Sequence, residues 1–569
     1  MYFLLNIVIV DSKILDVVDL CVAFPRDDGY RNVVNHVSFS VSRGKTLGIV
    51  GESGSGKSVS SLAIMQLLSV PPARITSGKI LFDGVDLLSL SDKQMRSYRG
   101  NRISMIFQEP MTSLNPVYKC GDQVVEMLRL HEKVSRSEAR SRVLQLFDEV
   151  MLPRPQKIFD SYPHQISGGQ KQRVMIAMAL VCHPDVVIAD EPTTALDVTV
   201  QKSILLLLRK LQAKYNMGVI FISHDLGVIA QVADEVMVMY RGDVVEQGPA
   251  HQVLHSPQHP YTKGLLACRP PLDARPLRLP TVADFLNDTV PDVRQVAPAP
   301  SMNNSPNAAP ILQVSNLKVS YALKKNLWGK VLNQLNAVDD ISFQLYQGET
   351  LGLVGESGCG KTTLGRAVLQ LLDYSAGKVC FKGVDVADMS KSQLHDLRLK
   401  MQIVFQDPYS SLNPRYSIGS AIMEPLVSHK LFDNDAQRRE KVLDLMQQVG
   451  LQPDWFNRYP HQLSGGQRQR VCIARALVVG PELVVCDESV SALDVSVQAQ
   501  VLNLLNDLKQ RHGFSCIFIT HDLSVVKYMA DRIMVMRQGK MVELAPSDQL
   551  YDNPQSDYTR NLIDSIPRL

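Results

Sequence analysis

Two stretches of this chain carry the residues and spacing that hold phosphate. Gly51-Glu52-Ser53-Gly54-Ser55-Gly56-Lys57-Ser58 and Gly355-Glu356-Ser357-Gly358-Cys359-Gly360-Lys361-Thr362 both follow G-x-x-x-x-G-K-[ST]. The glycines let successive backbone N–H groups turn inward onto phosphate oxygens, where a Cβ would obstruct. Lys57 and Lys361 can reach β- and γ-phosphates, and Ser58 and Thr362 can ligate Mg²⁺. Such a loop works between a strand and a helix. Thr46 to Val50 and Thr350 to Val354 read as short buried strands before the loops, and Val59 to Leu68 and Leu364 to Leu372 as helices after them. A glycine-rich turn matching by accident has a chance of roughly 0.02 in a chain this long, and two in one context far less. The chain binds nucleoside triphosphate twice.

Three more motifs recur. Apolar strands end in Asp190-Glu191 and in Asp487-Glu488, where a carboxylate pair can face the ligand crevice of an α/β sheet. Apolar strands also end in Ser223-His224-Asp225 and Thr520-His521-Asp522, and others in Phe107-Gln108 and Phe405-Gln406. Ser167-Gly168-Gly169-Gln170 and Ser464-Gly465-Gly466-Gln467 precede helices over 170–180 and 467–477, where serine is a natural N-cap. Singly, each has a bland reading: a surface acidic turn, a satisfied structural histidine, a helix cap. Their recurrence after both phosphate loops, in the same order and at nearly the same spacing from one another, removes that reading.

The elements that must position these groups repeat as well. From Ser167 to Ser464, Glu191 to Glu488 and His224 to His521 the offset is 297 residues, so one domain is duplicated. Each half opens with strands (14–24 and 33–41; 312–321 and 337–345) and holds a helix-rich stretch before its S-G-G-Q (124–150; 418–449). Strands then resume at 185–189 and 219–222, and at 483–486 and 516–519. Alternating strands and helices around a phosphate loop predict a parallel α/β core. Between the halves, Cys268 to Pro310 holds nine prolines and no amphipathic period, and reads as a semi-extended tether. The expected domains are therefore 1–267 and 311–569, joined by 268–310.

Composition narrows the setting. Sixty basic residues against 57 acidic leave no nucleic-acid footprint. Nine scattered cysteines without a C-x-x-C pair argue against zinc modules and disulfide frameworks and fit a reducing cytosol. Met1 to Val10 is apolar but short, without a basic n-region or a cleavage site, and is not read as a signal peptide. No other stretch approaches the length of a membrane span.

A phosphate loop with S-G-G-Q resembles the ATP-binding cassette family, and here the resemblance runs from end to end. It implies two tandem P-loop domains, each with a parallel-sheet core, an antiparallel β subdomain and an α-helical subdomain. It implies that cassettes meet head to tail, with Ser464 to Gln467 covering the nucleotide on Gly51 to Ser58, and Ser167 to Gln170 that on Gly355 to Thr362. Asp190 and Asp487 would hold Mg²⁺ through water, with Ser58, Thr362, Gln108 and Gln406. Glu191 and Glu488 would polarise the attacking water, and His224 and His521 would contact the γ-phosphate. Ala195-Leu196-Asp197 and Ala492-Leu493-Asp494 match the loop that touches across the cassette interface. Phe24 and Tyr321 are the choices for stacking on adenine, with Tyr30 and Trp328 as competitors. Both halves keep every catalytic group; Ser489 replaces Pro192 and Arg475 replaces Met178, so two working sites are expected.

Phe107-Gln108-Glu109-Pro110-Met111-Thr112-Ser113-Leu114-Asn115-Pro116, the matching Phe405 to Pro414, and Ser256-Pro257-Gln258-His259-Pro260-Tyr261-Thr262 resemble the importer branch for dipeptides, oligopeptides, nickel and glutathione. The resemblance implies two permease subunits, an extracytoplasmic solute-binding protein, and a place on the cytoplasmic face of the inner membrane. It also leads to an expectation of no iron–sulfur cluster, since Cys268 stands alone. A tandem-cassette translation factor is the rival reading; its E-P-T-N-H-L-D-like segment and charged linker are not matched. A chromosome or DNA-repair ATPase would need coiled-coil or zinc insertions that the short gaps exclude.

Overall fold

The computed structural model describes residues 13–26, 29–108, 113–194, 196–290, 309–325 and 331–567. Contacts divide the chain into two units, one chiefly Met1–Leu196 with Val200–Leu266, the other Asp197–Thr199 with Ala267–Ile566.

In the first unit, strands β1 (Lys13–Arg26), β2 (Gly29–Ser42), β4 (Arg74–Phe82) and β5 (Val85–Asp86) form an antiparallel sheet in the order β2-β1-β4-β5. A second sheet orders β10-β9-β3-β8-β7-β6, from β3 (Thr46–Val50), β6 (Ile103–Ile106), β7 (Val186–Asp190), β8 (Gly218–Ile222), β9 (Glu235–Tyr240) and β10 (Asp243–Pro249). Every pair in it is parallel except β9 with β10. All five residues of β3, β7 and β8 are buried, as continuous apolar runs must be in a sheet covered on both faces. This topology sets the site. The phosphate-loop strand β3 lies between β8 and β9, with β7 next to β8. The C-terminal ends of β3, β7 and β8 therefore bring the loop, Asp190-Glu191 and His224 to one edge.

The second unit repeats both sheets. Strands β11 (Leu312–Lys325), β12 (Val331–Leu345), β14 (Ala376–Phe381) and β15 (Val384–Asp385) order as β12-β11-β14-β15. Strands β13 (Thr350–Val354), β16 (Met401–Val404), β17 (Leu483–Asp487), β18 (Ser515–Ile519), β19 (Arg532–Arg537) and β20 (Lys540–Pro546) order as β16-β17-β18-β13-β19-β20. The helix-rich stretches become helices Cys120–His131 and Arg136–Glu149, and Ile418–Ser428 and Asp435–Gln448, and the helices after S-G-G-Q span Gly168–Leu180 and Gly465–Leu477. They pack on one another through residues such as Val124, Val143 and Phe147, all buried. Among the described residues no helix is long and apolar enough to cross a membrane.

The tether expectation for 268–310 does not hold for its first part. Leu279 is fully buried, and its N–H donates to Asn503 Oδ1 at 2.9 Å while Asn503 Nδ2 donates to its carbonyl at 2.8 Å. Arg275 Nε donates to the Tyr528 carbonyl at 3.1 Å and pairs with Asp531 at 3.4 Å, and Lys527 Nζ donates to the Leu272 carbonyl. Thr281 and Asp284 cap a short helix, Val282–Leu286. The prolines that remove amphipathic period do not prevent an extended strip from docking, because its polar backbone finds partners on a preformed surface. Residues 291–308 of that segment lie outside the described residues, as do Met1 to Val10, Glu109 to Thr112, Ala195 and Trp328.

Candidate functional site

Gly51 has φ +151°, and a Cβ there would stand 2.2 Å from the Met239 carbonyl; Gly355 has φ +146° and the same clearance from Met536. Only glycine lets the loop leave β3 or β13 along that path. The loop then turns, with Ser55 N–H donating to the Glu52 carbonyl at 3.1 Å and Cys359 N–H to that of Glu356 at 3.2 Å. Left-handed Gly56 and Gly360 cap helices Lys57–Ile64 and Lys361–Val368. These helices start two and three residues before the expected ranges and end four earlier, as the chain turns at left-handed Gln66 and Gln370. The buried Lys57 ammonium bridges the carbonyls of Gly51 (2.7 Å) and Glu52 (2.8 Å). Lys361 does the same with Gly355 (2.7 Å) and Glu356 (3.0 Å). Each cation is thus held over its own loop.

The first helical residue after each lysine meets the acidic strand. Ser58 Oγ donates to Asp190 Oδ1 at 3.1 Å, and Thr362 Oγ1 to Asp487 Oδ1 at 2.8 Å. Glu191 and Glu488 both sit at φ +47°, a conformation non-glycine residues occupy at some energetic cost. Their N–H groups donate across to Ile222 (3.0 Å) and Ile519 (2.9 Å), which pins the bend. The bend presents a carboxylate that gathers the other motifs. Glu191 Oε2 accepts from Gln108 Nε2 at 3.0 Å and Thr194 Oγ1 at 2.9 Å, and His224 Nδ1 lies 3.3 Å from its Oε1. Glu488 Oε2 accepts from Gln406 at 2.7 Å and lies 3.5 Å from His521 Nδ1. Sequence reading missed Thr194. Its counterpart Ser491 donates instead to the Glu488 backbone carbonyl at 2.9 Å, so no repeat signalled it.

Electrostatics separate the two carboxylates of each pair. Burial pushes Asp190 and Asp487 above the ordinary range and the neighbouring glutamate adds to it, against the hydroxyls of Ser58 and Thr362. Burial acts on Glu191 in the same sense. There, the hydrogen bond and charge of His224, then the Thr194 hydroxyl and the Lys57 charge, outweigh it and hold the carboxyl at about 2. Glu488 is likewise lowered against burial, by His521 and Lys361. The glutamates are held ionised; the aspartates are carboxylates whose charge burial disfavours, Asp487 with the Arg366 guanidinium 3.9 Å away. One hydroxyl and one such carboxylate are hard oxygen donors, and a divalent cation would supply the missing charge. Ser58 with Asp190, or Thr362 with Asp487, could hold a hard divalent cation such as Mg²⁺. Gln108 and Gln406 stand on the glutamates rather than on these donors.

His521 itself is raised: burial opposes the cation, but the hydrogen bond and charge of Glu488 overcome that. The stability it contributes is present below the unfolded-state value and is lost as pH rises through the folded one. Glu488, whose value is depressed, contributes stability above its unfolded value that is lost as pH falls through the folded one. The pair is therefore intact between the two folded values. Glu488→Gln is expected to lower the His521 pKa, followed by NMR titration of the imidazole; a His521 that titrates as before would refute the pairing.

The S-G-G-Q segments are reciprocal caps. Gln170 N–H donates to Ser167 Oγ at 3.3 Å while Ser167 N–H donates to Gln170 Oε1 at 3.0 Å, and Ser464 and Gln467 repeat this at 3.4 and 3.0 Å. Gly169 and Gly466 admit Val200 and Val497, whose Cγ1 atoms a Cβ would meet at 2.8 and 2.3 Å. Of the stacking candidates, Phe24 packs against the core, while Tyr321 and Tyr30 are exposed, Tyr30 under the Arg74 guanidinium at 4.0 Å.

The ABC transporter family model matches residues 34–194 and 338–491, and a model described as the oligopeptide/dipeptide transporter C-terminal region matches 245–295 and 542–569. The glutathione import ATP-binding protein GsiA of Pectobacterium atrosepticum is 47% identical over 563 residues, 98% of this chain and 90% of that protein. That of Escherichia coli is 47% identical over 567 residues with the same coverage. A solved ATP-binding cassette, in a dimeric post-hydrolysis state bound to ADP and Pi, is 26% identical over 42% of this chain and 98% of its own, with a TM-score of 0.38.

Proposed function

The chain belongs to the ABC transporter family as the ATP-hydrolysing subunit of an importer, and from that premise we propose that it drives uptake of peptides or peptide-like solutes, glutathione foremost. The observation that carries the cargo class is the double match to the oligopeptide/dipeptide C-terminal region, with end-to-end likeness to glutathione import proteins. We further propose two permease subunits and an extracytoplasmic solute-binding protein as partners, and a peripheral place on the cytoplasmic face of the inner membrane. The translation-factor reading loses its ground with these matches.

Both cassettes hydrolyse ATP in this proposal, and each nucleotide is enclosed by the phosphate loop of one half and the S-G-G-Q of the other. Lys57 and Lys361 neutralise β- and γ-phosphate charge, and Ser58 with Asp190, or Thr362 with Asp487, would hold a Mg²⁺ ion that would supply further charge neutralisation. Glu191 and Glu488, ionised across the physiological range, orient and take a proton from the attacking water. His224 and His521 are anchored by those glutamates and face the γ-phosphate. Phosphoryl transfer rests mainly on such positioning and electrostatics. The test is ATP-dependent uptake by vesicles carrying this chain with the permease subunits that co-purify with it, supplied with the binding protein. Labelled glutathione or a dipeptide is expected to accumulate; transport of neither, with an intact ATPase, would overturn the cargo assignment.

A further inference from the structure

Each half ends in an arm that turns back on its own phosphate loop. In the first, Glu246 on β10 accepts from the N–H groups of Gln258 (2.8 Å) and His259 (3.1 Å), fixing the turn before helix Pro260–Ala267. In the second, Glu543 on β20 accepts from Gln555 (2.9 Å) and Ser556 (3.2 Å) before helix Asp557–Ile563. Each arm thereby delivers one tyrosine hydroxyl to one peptide. Glu52 N–H donates to Tyr261 Oη at 3.0 Å, and Glu356 N–H to Tyr558 Oη at 3.3 Å. The rings are themselves wedged: Tyr261 is fully buried with its centroid 4.2 Å from Tyr240, and Tyr558 lies under the Arg537 guanidinium at 4.7 Å. Burial raises the Tyr558 hydroxyl to about 12, so it stays protonated and neutral.

The peptide so gripped has a second use. Its carbonyl, Gly51 or Gly355, is the one that receives the lysine ammonium at 2.7 Å. One rigid peptide plane therefore joins the tyrosine hydroxyl on its N–H side to the phosphate-binding cation on its carbonyl side. The flanking glycine, with positive φ, is the residue least able to hold that plane by itself. The grip occurs twice, at the same 297-residue offset (Tyr261 to Tyr558), although Tyr240 on one ring is replaced by Arg537 on the other.

We propose that Tyr261 and Tyr558 are positioning residues of the two nucleotide sites: each fixes the peptide on which the loop lysine rests and so sets where that ammonium meets the phosphates. The inference rests on the nucleotide reading of the loops. It gives the C-terminal arm, of which Ser256 to Thr262 is part, a task at the ATP site.

The test is a double-mutant cycle in the full chain, read by titration with trinitrophenyl-ATP and Mg²⁺. Tyr261→Phe with Tyr558→Phe is expected to weaken binding roughly threefold to tenfold, the usual effect of one hydrogen bond, while the rings keep their packing. Lys57→Ala with Lys361→Ala is expected to weaken it further, and adding the two phenylalanines to that background is expected to change nothing more. Amide exchange at Glu52 and Glu356 is expected to speed up in the phenylalanine variant. Unchanged binding, unchanged exchange, or a phenylalanine effect equally large without the lysines would overturn the proposal. Unaltered binding in the lysine variant would instead overturn the nucleotide reading beneath it.

Discussion

Glu191→Gln is expected to slow ATP hydrolysis at its site by about a hundredfold to a thousandfold, the scale on which removal of one preorganised electrostatic group acts. Glutamine has nearly the same volume and the same tolerance of φ +47°, so the bend pinned by Ile222 survives. What disappears is the charge that the His224, Thr194 and Lys57 environment keeps ionised down to about pH 2. Lys57 and the loop are untouched, so ATP binding stays within about twofold. Single-turnover hydrolysis beside equilibrium nucleotide binding separates the two. A loss of less than about tenfold, or a parallel loss of binding, would remove Glu191 from its role. Glu488→Gln is expected to act alike if both sites work.

Ser464→Arg is expected to abolish nucleotide occlusion at the Lys57 site and to spare the Lys361 site, although Ser464 and Lys361 belong to the same half. The substitution replaces the cap that orders Gly465 to Gln467 and places a long cation where helix N–H groups are to face the γ-phosphate. A lost cap alone costs about 1 kcal/mol, too little to unfold a domain of this size. Photo-crosslinked nucleotide, traced by proteolysis between the halves, reads out which loop is affected. Loss at Lys361 with retention at Lys57 would mean that each half builds its own site, and the proposed head-to-tail arrangement would fail.

Much of this constellation is legible in the sequence because its determinants are local. Short, largely apolar runs specify β3, β7 and β8, and the residues at or just past the end of each strand land at one sheet edge once the strands are parallel. Thus Lys57, Asp190, Glu191 and His224 can be named from spacing and resemblance. The features that stay hidden depend on partners far along the chain. The left-handed turn at Glu191 is fixed by a carbonyl on β8, and the raised value of His521 by a strand thirty-odd residues earlier. Tyr261 stands in a recognisable motif, yet its bond to Glu52 crosses 209 residues. The adenine-stacking choice shows the same limit. Phe24 and Tyr321 satisfy the pattern of a strand aromatic alike, yet Phe24 packs partly buried against the core while Tyr321 is exposed, and pattern alone does not tell an outward ring from an inward one.

The docked strip around Leu279 also bears on the order in which the chain acquires its shape. It leaves the ribosome well before Asn503, its partner 224 residues onward, is made. Closing so long a loop in an unfolded chain carries a length-dependent entropy of about 5 kcal/mol. Once the second cassette has formed from Leu312 onward, only the 25 or so residues between Leu286 and Leu312 still have to be looped, and the corresponding figure falls to about 3 kcal/mol. The strip is thus expected to close last, as a non-local contact made cheap by structure already in place. A gene divided at Leu312 leaves the surface of Asn503, Lys527 and Tyr528 without the segment that it was folded to receive.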